Sequence, residues 1–286
     1  RDAPIFQLQR NTPQPPAATP APAPTQDQAP ATPAAPTPQP ASNDAPSQGS
    51  ARYYSVHRQA GRQPDATPLP APNYLDAMPV ELIRTTQHGV EEAGLVLEAE
   101  GRIALSWRPA RSTLAEAAQA LHLPTGFETE IGLAGRAWMA ELARRIERGA
   151  MLLIDYGFPQ SEYYHPDRST GTLMCHYRHH AHAEPMWMPG LCDITAHVDF
   201  TAVAQSAFDA GLSLAGYTSQ ASFLLNCGLP ALLSDEPEPL ARAKRNAEVN
   251  QLTSPAEMGE LFKVICMTRG MAAPLTGFAR GDRSHT

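Results

Sequence analysis

No stretch of this 286-residue sequence approaches the roughly 20 consecutive apolar residues of a membrane-spanning helix, so none is expected. Lysine and arginine form no block, and the net charge is −7, which argues against nucleic acid or an anionic membrane as partner. The four cysteines, Cys175, Cys192, Cys227 and Cys266, are scattered and make no CxxC pair. Reduced thiols in a cytoplasmic protein fit that pattern. The chain opens on Arg1 with no basic segment followed by an apolar one, so no secretion signal is read there. Glycine is nearly missing from residues 1–72, which hold only Gly49 and Gly61 and no apolar run able to form a strand.

What fills that segment is Pro, Ala, Thr, Gln and Ser, as in Pro13-Gln14-Pro15-Pro16 and Pro20-Ala21-Pro22-Ala23-Pro24. Proline removes backbone donors and fixes φ, so neither helix nor sheet propagates. Residues 1–72 are therefore expected to be a disordered arm with polyproline II character. The remaining 73–283, roughly 210 residues, suffice for one substantial core.

Chemistry concentrates in 151–200. An apolar run at 151–154 stops at Asp155-Tyr156-Gly157, which reads as a buried parallel strand delivering a carboxylate to the edge where α/β sheets bind ligands. Five of the ten histidines follow within 176–197. Around this run, strands are expected at 80–85 and 90–107, the latter folded back at Glu98-Ala99-Glu100-Gly101. Ser112 or Thr113 should cap a short helix through Leu121, and a longer one should cover 131–148, closed by Gly149. Asp199 should cap a helix ending at Gly211, before a strand at 212–217. Helices at 219–226, 239–252 and 256–262 and a last strand at 263–268 complete the closing half of a doubly wound sheet. The stripes Trp138/Leu142/Ile146 and Val203/Ala207/Ala210 have helical spacing and belong to the core.

Cys175-His176-Tyr177-Arg178-His179-His180-Ala181-His182 contains zinc-type ligands, but in an extended segment neighbouring side chains point to opposite faces. No second cluster at finger spacing exists, so no metal is expected. His179 and His197 are the acid–base candidates, because an unperturbed imidazole titrates near pH 6.5. Asp193, Thr195 and His197 alternate, which in an extended segment gives one polar face. Paired carboxylates on such a face suit a guanidinium.

Several words occur in the order of a known family: Asn73-Tyr74-Leu75-Asp76-Ala77-Met78-Pro79, Leu153-Ile154-Asp155-Tyr156-Gly157, Gly171-Thr172-Leu173, His176-Tyr177-Arg178-His179 and Pro189-Gly190. Further on come 193–200, Thr218-Ser219-Gln220-Ala221-Ser222-Phe223-Leu224 and Met258-Gly259-Glu260-Leu261-Phe262-Lys263-Val264. From about Asn73 to Arg283 the chain resembles the later part of the MidA family of class I S-adenosylmethionine-dependent methyltransferases. The resemblance implies a Rossmann-like sheet, here its fifth to seventh strands with the last antiparallel, and a small inserted β/α region. It implies S-adenosylmethionine as cofactor and a protein arginine as acceptor, on a respiratory complex I subunit in mitochondrial members.

The Gly-rich turn that such enzymes use for the cofactor is lacking, so its site is expected to be incomplete. A fragment or damaged reading frame is the favoured account, since Asn73-Tyr74 stands where the family usually has Asn-Glu; a natural exchange for a Pro-rich arm is the other. The expected catalytic set is Asp155, Asp193 and His197; the substrate-binding set is Asn73, Asp76, Tyr156, Gly157, His179 and Thr195. Two further classes stand beside this reading: a non-catalytic interaction module and a metal-dependent hydrolase.

Overall fold

The computed structural model describes residues 75–178, 180–233, 238–271 and 273–285. The Pro-rich arm, Asn73 and His179 lie outside them. Apolar residues at alternate positions pair into an antiparallel sheet of β1 (Glu81–Thr86), β2 (Gly89–Leu97), β3 (Ile103–Pro109) and β4 (Glu128–Ile131), in the order β3-β2-β1-β4. Helix α1 (Ser112–Gln119) covers one face with Leu114 and Ala118 against Ile83 and Ile131. Arg111 is the residue before its first turn, and no side chain caps it.

The second sheet follows the expected closing half. Its order is β10-β11-β5-β9, with β5 Gly149–Phe158, β9 Val198–Asp199, β10 Ser213–Ser219 and β11 Phe262–Arg269. β11 lies between β5 and β10 and runs antiparallel to both, while β9 is parallel to β5. Central β11 is buried on both faces, which explains its unbroken apolar run Val264-Ile265-Cys266-Met267. On one face, α2 (Leu133–Arg145) and α4 (Phe200–Asp209) seal Met139, Ala143, Val203 and Ala207 against Met151, Ile265 and Met267. On the other, Phe278 and Phe223, the latter from α5 (Gln220–Asn226), cover Val264 and Cys266. Asp199 accepts from the Ala202 amide at 3.0 Å, the expected cap, and Gly211 takes φ +94 after the helix.

A third sheet, β7-β6-β8, joins β6 (Met174–Tyr177), β7 (His180–His182) and β8 (Asp193–Thr195). The chain is completed by α3 (Gln160–Tyr163), α6 (Pro239–Thr253) and α7 (Met258–Leu261).

Three expectations are corrected. The helix expected over 131–148 is a strand, β4, then a shorter α2; Gly149 opens β5 at φ +142 and does not close a helix. Pairing of Gly149 with Arg269 takes the backbone out of the helix three residues earlier than side-chain spacing suggests. Nor does the strand stop at Ile154. β11 supplies partners as far as Tyr156 and β9 takes Gly157 and Phe158, so Asp155 sits within the strand. The last helix expected, at 256–262, is only the four-residue α7, because Phe262 already pairs with Tyr156.

Candidate active site

Asp155 is 2% exposed, facing an equally sealed Asp76 that the 75–80 turn carries in. Its oxygens accept the Tyr156 amide at 2.8 Å and the Asp76 amide at 3.4 Å. Burial first, and then the Asp76 carboxylate, raise the Asp155 pKa to about 7. Two carboxylates this close cannot both ionise freely, so the pair holds a proton into the neutral range. The Tyr156 phenol hydrogen-bonds both the Asp76 carboxylate and the Thr195 hydroxyl. Burial above all, with the two acids behind it, pushes that phenol well above its ordinary pKa, so it stays protonated.

Tyr156 borders an open cleft of about 520 Å³, whose lining includes neither Asp76 nor Asp155. Tyr156, Thr195 and His197 line it with Arg168, Thr172, Met174, His176 and Phe262. The Tyr156 ring is held edge-on between His197 at 5.2 Å and Phe262 at 5.6 Å. His197 also meets Phe158 at 5.1 Å, and Arg168 stacks over Phe158 at 4.0 Å. Burial, then Arg168 and Lys263, push the His197 pKa down to about 4. The expectation of an imidazole titrating near neutrality is corrected: His197 is neutral there, and its buried Nδ1 has no hydrogen-bond partner.

The structure thus brings Asp76, Asp155, Tyr156, Thr195 and His197 together. It does not bring Asp193, which is exposed opposite His176 on β8. β8 ends at Thr195, and the Ala196 amide donates to the Asp76 carbonyl at 2.9 Å before His197 reaches the cleft. Gly157 meets no ligand space either: a Cβ there would strike the Val198 backbone, so its role is close strand approach. Arg168, Thr172 and Phe262 are cleft residues that sequence reading missed. For Thr172 and Phe262 the words Gly171-Thr172-Leu173 and Met258-Gly259-Glu260-Leu261-Phe262-Lys263-Val264 were signals; Arg168 gave none. Among the described residues no three His, Cys, Asp or Glu side chains converge to hold a metal.

Similarity to known proteins now decides the family. A model described as "S-adenosyl-L-methionine-dependent methyltransferase" matches residues 42–218. The chain belongs to this methyltransferase family. A crystal structure from Burkholderia thailandensis superposes with a TM-score of 0.70 at 46% identity, covering 73% of this chain and 57% of that one. A second from the same organism, bound to S-adenosyl-homocysteine, gives 0.68 at 45%, covering 73% and 55%. Among curated methyltransferase relatives, the mitochondrial protein arginine methyltransferase NDUFAF7 of Danio rerio is 30% identical over 204 residues, 68% of this chain and 45% of the relative. Its Drosophila melanogaster homolog is 31% identical over 229 residues, 73% and 50%. The chain therefore spans about half the length of the curated relatives it matches. These relatives overturn the cytoplasmic expectation, since the curated ones are mitochondrial by name. The family's cofactor needs a glycine-rich turn between strand and helix. Among the described residues, β5 runs into Pro159 and α3, and β10 runs into the Ser219 cap of α5; neither junction is such a turn.

Proposed function

We propose that this chain carries the acceptor side of an S-adenosylmethionine-dependent methyltransferase acting on a protein arginine. The observation behind this reading is the buried Asp76–Asp155 pair next to Tyr156, whose protonated phenol lines an open cleft together with the neutral His197 imidazole. A guanidinium offers five N–H donors in a planar fork, and paired carboxylates are its natural counterpart. The acceptor nitrogen gains a methyl group and sheds one proton; Asp155, poised at about 7, is the group able to take it. Asp155 and Asp76 orient and deprotonate, Tyr156 and Thr195 hold Asp76 in place, and His197 accepts a hydrogen bond without adding charge. Asn73 and His179 stay candidate substrate contacts by family resemblance, as does a respiratory complex I subunit as the protein acted on. The relatives' names support a mitochondrial setting.

Calorimetry with an arginine-containing peptide and its lysine counterpart, in two buffers of different ionisation enthalpy, tests this. The arginine peptide should bind more tightly. It should also release roughly half a proton at pH 7, because a bound cation displaces the proton Asp155 holds. Equal affinity for both peptides, or no proton release, would overturn the assignment.

A further inference from the structure

Glu130 takes no part in that chemistry, yet it lies 2% exposed at the end of β4, in the small sheet. Among the described residues, the hydrogen-bond donors to its carboxylate come from outside that sheet. The Thr172 amide lies 2.9 Å and 3.0 Å from its two oxygens, and the Leu173 amide 2.8 Å from Oε1. The hydroxyls of Tyr163 and Thr172 each donate to Oε2 at 3.2 Å. Thr172 Oγ1 in turn accepts the His197 amide at 3.0 Å. Gly171 sits beside them at φ +77, and a Cβ there would strike the Glu130 carboxylate. Gly171, Thr172 and His197 all face the cleft.

We propose that Glu130 is a positioning residue for the acceptor cleft: it clamps the wall Gly171-Thr172-Leu173 and, through Thr172, sets the backbone of His197. The clamp assigns a purpose to the small sheet. β4 reaches across to a loop 42 and 43 residues later in the chain, so the sheet holds one side of the cleft at a fixed distance from the Asp155 side. A bare charge is not required for this. One oxygen must accept two amides, while the other faces hydroxyls able to reverse their own donors. Glutamine meets both demands and alanine meets neither. The link to acceptor binding rests on the proposed function; the clamp itself does not.

Hydrogen exchange resolved at single amides, read on the full chain beside arginine-peptide affinity, tests the proposal. Glu130→Ala should speed exchange at Thr172, Leu173 and His197 by about tenfold or more, with β10 and β11 amides unchanged. It should weaken peptide binding by about tenfold as well, and Glu130→Gln should restore both to within about threefold. Gly171→Ala, which presses on the clamp from the other side, should reproduce these losses and add little to Glu130→Ala in the double variant. It also serves if Glu130→Ala does not fold. Unchanged exchange at the three amides overturns the clamp, and so does full additivity. Lost protection with unchanged affinity reduces Glu130 to local structure and overturns its positioning role. If the unaltered chain binds no arginine peptide, the acceptor reading fails and exchange alone decides the clamp.

Discussion

Glu130 and Asp155 are both carboxylates sealed from water, each next in contact to a residue of the cleft wall, Thr172 and Tyr156 respectively, and burial raises the pKa of each. They differ in what reaches them. Glu130 collects two amides and two hydroxyls, all donors that hold it in place. Asp155 receives the Tyr156, Asp76 and Leu75 amides, that of Asp76 long at 3.4 Å, and a second carboxylate stands against it. A buried acid ringed by donors builds structure; one that also faces a like charge is held ready for a proton or a cation.

The contrast is strongest in stability. Glu130→Ala strands two buried amides and should lower unfolding free energy by about 2–4 kcal/mol, whereas Asp155→Asn at pH 8 should leave it unchanged or raise it. Denaturant titration of both variants decides; equal losses would erase the distinction. Asp155→Asn should instead lower arginine methylation on the order of 10²-fold in an assay that supports turnover. A variant with wild-type turnover would remove Asp155 from the chemistry.

A pH series sharpens the comparison further. Asp155 has its pKa raised from 3.8 to about 7, so its contribution to stability is fully present below pH 3.8 and lost as pH rises through 7. His197 is lowered from 6.5 to about 4, so its contribution is present above pH 6.5 and lost as pH falls through 4. The two slopes oppose one another between about pH 4 and 6.5, and above that His197 no longer offsets the Asp155 slope. Urea midpoints of the chain should fall from pH 6.5 to 8, and those of Asp155→Asn should stay flat. A parallel fall in both would assign the slope elsewhere.

The smallest effect belongs to Asp193. Exposed on β8 and not itself lining the cleft, it should lose less than about 0.5 kcal/mol as Asp193→Asn, with peptide affinity within about twofold. A tenfold loss would restore it to the site.

What could be read from the sequence were the features written locally. The apolar runs of β5, β10 and β11, the Asp199 cap and the stripes on α2 and α4 all depend on neighbours a few residues away. Asp155 and Tyr156 stood out because an acid interrupts an apolar run. Glu130 was hidden because its partners are 42 and 43 residues distant, and nothing within Thr129-Glu130-Ile131 announces them. The face of Asp193, Thr195 and His197 was legible only as far as β8 lasts. Alternation holds only while a strand lasts, and Ala196 leaves its strand to bond Asp76 from a distant part of the chain. The length of β5 likewise depended on β9, some forty residues on.

Gly157 carries a consequence for how this cleft can change. The rings of Tyr156 and His197 meet at 5.2 Å on the cleft wall, and the Gly157 and Val198 backbones next to them touch with no room for a methyl group. The spacing of the two strands is thus ruled by main chain, which mutation cannot trim or pad. Any broadening or narrowing of the range of acceptors, in evolution or by engineering, has to be written at the mouth, where Met174, His176 and Leu261 can be exchanged without parting the two strands.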